Sequence, residues 1–163
     1  MAAIAFFGYS AVDTAWIRDA KEMGGSPLYS KEFLQILGRN VGAALVLYSG
    51  VVTLGLTTLI SSGILALYVG ATVSLGVNSV GGTNLFADVI WYVPFEFVGL
   101  VMAATAGFQP TAGFARRVVL KTEPVTLASF IQDVARSLGT FTIALALILL
   151  GAAIESILIL SKT

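Results

Sequence analysis

The sequence predicts an all-α membrane protein: a polytopic transmembrane helical bundle of about four spanning helices, with short amphipathic interfacial helices between them. Three observations predict it. Residues 41–77 hold no Asp, Glu, Lys or Arg, and a helix crosses a hydrocarbon core about 30 Å thick in roughly 20 apolar residues. Charged residues are 11% of the 163 and hydrophobic ones 57%, where a soluble domain carries about 25% charge. Two further apolar stretches, 86–108 and 138–160, flank a polar, charged segment.

The elements follow in order. Residues 1–40 form an N-terminal amphipathic and loop segment, and residues 41–163 the transmembrane helical domain. The apolar run 2–7 is short and has no basic residue before it, so it does not read as a cleaved signal. Gly24, Gly25, Ser26 and Pro27 mark a loop. Ser30 is placed to cap a helix, and Phe33, Leu34, Ile36 and Leu37 give that helix an apolar face leading into the membrane. The first spanning segment is 41–60. Ser61, Ser62 and Gly63 interrupt it, and 64–77 is a second, shorter crossing of about 21 Å. If 41–77 makes only one net crossing, the N-terminus changes side. Residues 78–84 are a turn. Residues 86–108 span next and contain Asp88, Pro94 and Glu96. Gln109 and Pro110 end that helix, and residues 110–137 form a cytoplasmic amphipathic segment, with Pro124 opening its helix. Residues 138–160 are the last crossing.

Orientation comes from the cations. Arg116, Arg117, Lys121 and Arg136 outnumber Glu123 and Asp133, and short loops rich in Lys and Arg stay in the cytoplasm. The loop at 78–85 and the C-terminus then lie outside. With four crossings, residues 1–39 do as well. The location is the cell membrane, with several passes. Arg116, Arg117 and Lys121 are also candidates to contact anionic lipid head groups or a partner; setting topology is the simpler role.

The chemistry available is narrow. There is no His and no Cys, which removes the commonest general base, thiolate catalysis and the usual zinc ligands. There is no nucleophile elbow. The zero net charge gives no footprint for nucleic acid. We expect no enzyme activity, no cofactor and no metal. The expected partners are membrane lipids and other membrane subunits, including further copies of the chain. Small residues at four-residue spacing (Gly38 and Gly42; Ala66, Gly70 and Ser74; Gly99, Ala103 and Gly107) suit close helix packing in lipid.

Of the acids inside spanning segments, Glu96 and Glu155 lie deepest and are the informative ones. An acid there costs roughly 2.5–3.5 kcal/mol on insertion scales and turns toward a partner or a wet cavity. Helix counting puts both about 10–12 Å inside the outer ends of their antiparallel helices. Arg39 and Asn40 enter the membrane from the same side, so the candidate polar cluster is Arg39, Asn40, Glu96 and Glu155. It reads either as a structural packing cluster or as part of a path for ions or solutes. Trp91 and Tyr92 fit an interfacial aromatic belt.

Three blocks in this order resemble the stage II sporulation protein M family of integral membrane proteins. The first is FLQILGRNVGAALVLYSGVVTLG, residues 33–55, in which Asn40 matches. The second is YVPFEFVGLVMAATAGF, residues 92–108, in which Phe95, Glu96 and Gly107 match. The third is LILLGAAIESILI, residues 147–159, in which Ala152, Ile154 and Glu155 match. Tyr92 stands where the family has His, and the family's usual first spanning helix is missing or reduced to residues 2–11. The resemblance implies a non-catalytic scaffold or accessory subunit of a larger membrane complex. The alternative is a small ion- or solute-translocating protein that uses Glu96 and Glu155. A rotary-ATPase proteolipid is a poorer match, because Glu155 lies near the chain end and the inner helices lack a dense Gly repeat.

Overall fold

The structure is a computed structural model that describes residues 29–121 and 124–161. It is all-helical across those residues. Helix α1 spans Tyr29–Tyr48 and passes into a 3₁₀ turn, Ser49–Val51. Then come α2, Leu56–Val80; α3, Gly82–Val89; α4, Val93–Leu120; and α5, Leu127–Ser161. Three stretches are long and apolar enough to cross a membrane: Leu56–Asn78, Val93–Leu120 and Leu127–Ile159.

The helix boundaries differ from those expected in four places, each for a physical reason. The reversal in the first apolar stretch falls at residues 49–55, and α2 runs straight through Ser61, Ser62 and Gly63. Small polar residues are tolerated inside a helix. The reversal needs a left-handed backbone, which Gly55 supplies at φ 82°. The Gly55 amide also closes the turn on the Gly50 carbonyl at 2.7 Å. Next, α1 continues from Tyr29 through residue 40, so Ser30 lies inside the helix and the division at 40/41 falls within it. The Gly24–Pro27 loop and the run 2–7 lie outside the described residues.

The third difference is at Pro94. It sits in the first turn of α4, where a missing N–H costs nothing. The stretch 86–108 is therefore broken at residues 90–92 and not kinked at the proline. The fourth is at Pro110, which lies buried inside α4 without ending it. A mid-helix proline costs about 3 kcal/mol, but α4 is tied to α5 on both sides of it. The Gln109 amide donates to Thr140 Oγ1 at 3.0 Å, and Arg117 forms a two-pronged ion pair with Asp133. Helix α5 opens at residue 127 and continues unbroken, so residues 110–137 form the tip of an α4–α5 hairpin instead of one helix lying flat. Thr126 and Ser129 exchange amide-to-hydroxyl bonds of 3.2 Å at its start, a reciprocal cap.

The core is built by α1, α4 and α5. Ala44 and Leu47, Leu100, Ala103 and Ala106, and Phe141, Ala144 and Ile148 form one buried cluster. Tyr48 stacks on Phe141 with ring centres 4.2 Å apart, and its hydroxyl meets Ser137 Oγ at 3.1 Å. Asn40 meets Glu96 near the start of α4, while Leu47 meets Gly107 farther along, so α1 and α4 run parallel. Helix α2 turns back along α1. Its best apolar window of 18 residues has no buried member.

Candidate functional site: an intramembrane polar clamp

Glu96 lies in the first turn of α4, in a spanning stretch. Its backbone amide and that of Phe95 both reach the Tyr92 carbonyl, at 3.3 and 3.0 Å, which fixes the turn that carries it. The Asn40 side-chain amide donates to Glu96 Oε1 at 2.6 Å. Asn40 reaches it because it follows the face of α1 that also buries Ala44 and Leu47. A carboxylate in lipid is costly when unpaired, and this bond supplies one strong donor from a different helix.

The other side of Glu96 rests on α5. A Cβ at Gly151 would stand 2.5 Å from Glu96 Cγ and 3.3 Å from the Glu96 amide nitrogen. Only glycine leaves room there. Three helices thus converge on one side chain: α1 through Asn40, α4 through Glu96 and α5 through Gly151. Glu155 follows one turn after Gly151, about 6 Å along α5. It is half-buried.

Arg39 is not part of this convergence. It is exposed, and among the described residues no ion pair joins it to either acid. Successive residues on a helix are about 100° apart, so once Asn40 faces α4, Arg39 faces away. Arg116 and Lys121 are exposed at the hairpin tip. Arg117 is not: its side chain is 11% exposed, Asp133's is 10%, and the second prong of the pair is 3.1 Å. Trp91 is exposed and Tyr92 half-buried.

The small-residue steps behave differently from one another. On α4, Gly99 packs against Ile148 of α5, where a Cβ would lie 2.7 Å from Ile148 Cγ1, and Gly107 packs against Leu47 and Thr58. Gly38, Gly42 and Gly70 have open space around them. The sequence reading overlooked the junction at Thr58. This residue is fully buried and donates from Oγ1 to the Leu47 carbonyl at 2.6 Å, bridging α2 to the end of α1. It also overlooked Gly151 and the Gln109–Thr140 pair. Polar side chains at matching depth on antiparallel helices would have signalled that pair; nothing local marks Gly151 among so many glycines.

A cleft of about 310 Å3 opens between α1 and α2, lined by apolar side chains with Ser61 and Tyr68. Neither Glu96 nor Glu155 lines it. No family model matches the chain, and no curated protein or solved structure matches it.

Proposed function

We propose that this chain is a non-catalytic, multi-pass membrane protein acting as a scaffold or accessory subunit of a larger membrane assembly, the role that the stage II sporulation protein M resemblance implies. One observation carries the reading, a contrast within the chain. Helices α1, α4 and α5 close a core and use their intramembrane acid to pack against one another. The best 18-residue apolar window of α2 has no buried residue, only Leu65 packing partly against the core, which leaves most of its surface for lipid or for neighbouring subunits.

In this reading α1 is a fourth crossing. Its parallel course beside α4 supports that, as does the return of α2 along it. The start of α1, the end of α5 and α3 then lie on the outer face, and the α4–α5 tip, with Arg116 and Lys121, lies in the cytoplasm. The translocation reading rests on the nearness of Glu96 and Glu155. It is the weaker one, because Glu96 is engaged by Asn40 and the α1–α2 cleft lies away from both acids. The test is purification of the tagged full chain in mild detergent, followed by mass spectrometry. A stoichiometric membrane partner, or a defined oligomer, supports the reading; a monomer that carries no partner from native membranes refutes it.

A further inference from the structure

Arg39 is left over from the clamp. It is an exposed cation inside a helix read as crossing the bilayer, and no acid of the described chain pairs with it. A charge in that position is expensive unless it finds an anion or reaches the interface. Where it stands on α1 narrows the choice of anion.

The cleft between α1 and α2 is lined on α1 by Gly42, Ala43, Val46 and Leu47. Arg39 precedes these residues by three, four, seven and eight positions, which places it on the same face of the helix. It therefore stands in line with the groove, one turn beyond the last small residue. Antiparallel pairing sets the level of α2. Thr58 bonds the Leu47 carbonyl. From that junction Tyr68 lies about 15 Å along α2 and Arg39 about 12 Å back along α1. Tyr68, a groove residue 45% exposed, thus has its backbone within about 3 Å of the level of Arg39.

Depth agrees. The apolar part of α1 begins at Phe33, so Arg39 is about 9 Å inside it. Side chains on a helix lean toward its N-terminus, and an Arg stem can snorkel several ångströms that way. The guanidinium then lies close below the interface, where lipid phosphates are. Below it the groove is apolar. Its volume of about 310 Å3 is at the lower end of the roughly 300–1,000 Å3 typical of small-ligand clefts.

We propose that the α1–α2 groove is a binding site for one anionic phospholipid, its acyl chain lying against Gly42, Ala43, Val46 and Leu65 and its phosphate held by Arg39. A guanidinium matches a phosphate with paired donors. The two small residues on α1 make the space, and open surroundings at Gly42 leave it unfilled by the chain itself. The proposal rests on α1 lying in the bilayer.

The test is native mass spectrometry of the full chain in mild detergent, titrated with dioleoyl phosphatidylglycerol or dioleoyl phosphatidylcholine. The wild type should retain one phosphatidylglycerol per chain in preference to phosphatidylcholine. Arg39→Gln should weaken phosphatidylglycerol binding roughly tenfold or more and leave phosphatidylcholine unchanged, while Arg39→Lys recovers part of the loss. Ala43→Phe, which fills the groove, should weaken both. Equal retention of the two lipids, or unchanged phosphatidylglycerol binding by Arg39→Gln, would overturn the proposal. A photo-cross-linker at position 46, which lines the groove and leaves Arg39 in place, would overturn it too if it captured only protein, by filling the groove with a partner subunit. Reaction of Gly42→Cys with a charged maleimide in intact membranes separates the two levels of failure: it would take α1 out of the bilayer, and the lipid site with it.

Discussion

Replacing Gly107 by Ala adds one methyl group where α1, α2 and α4 meet. That methyl would overlap the Leu47 carbonyl oxygen and stand 2.5 Å from Thr58 Oγ1. The first neighbour is backbone and cannot swing aside. The second is a fully buried hydroxyl already committed to the same carbonyl at 2.6 Å. To make room, α1 and α4 must separate by several tenths of an ångström, or the Thr58 bond must break. Overpacking of this kind costs about 1–3 kcal/mol, and a buried hydrogen bond left unmade costs about 1–3 kcal/mol. Thr58→Val removes the bond while keeping the shape, so it should show the second cost alone. Gly70→Ala is the control, since a Cβ there meets open space. Thermal unfolding in detergent, followed by fluorescence-detected gel filtration, measures all three. Gly107→Ala should lower the melting temperature by roughly 5 °C or more, Thr58→Val by less, and Gly70→Ala by about 1 °C at most. A Gly107→Ala protein that melts with the wild type would refute the crossing of α1, α2 and α4 at this point.

Other outcomes follow from the same geometry. Glu96→Gln should be better tolerated in thermal unfolding than Glu96→Leu, because Gln still accepts from Asn40 while Leu leaves the amide without its partner. Gly151→Leu should be as damaging as Glu96→Leu, since it drives a side chain into Glu96; equal stability to wild type would contradict the three-helix convergence. Arg117→Gln and Asp133→Asn should each destabilise by about 1–3 kcal/mol, and the double variant by less than the two together, because each single change removes both prongs of a largely buried ion pair. Since the chain has no cysteine, Gly82→Cys should label from outside intact cells and Lys121→Cys only after the cytoplasmic face is opened. The reverse pattern would invert the topology.

The membrane class, the helical content and the long apolar segments were legible in the sequence, because hydropathy over 20 residues is a strong signal. The Asn40–Glu96 contact was partly legible: helix counting put Glu96 and Glu155 at one depth with Arg39 and Asn40 entering from the same side, although the break before Val93 leaves Glu96 in the first turn of α4, and side-chain direction chose Asn40 over Arg39. Helix ends were harder. Ser61–Ser62–Gly63 carries stronger loop composition than the stretch around Gly55, yet the turn needs a left-handed residue and the close approach of Gly50 to Thr58, which composition does not encode. Pro110 was misleading for a related reason. Its local cost is outweighed by Gln109–Thr140 and Arg117–Asp133, contacts between residues 31 and 16 positions apart. The fit of Gly151 under Glu96 is likewise a property of two helices together.

In the proposed role Glu96 holds helices together within an assembly and does not conduct. Proton flux into proteoliposomes that contain the purified assembly, compared between wild type and Glu96→Gln, tests it most directly. We expect no flux above empty liposomes from either protein across pH 5–8, with the assembly recovered intact in both. A pH-dependent flux in the wild type that Glu96→Gln abolishes, with subunit composition unchanged, would contradict the account and make Glu96 and Glu155 a conducting pair.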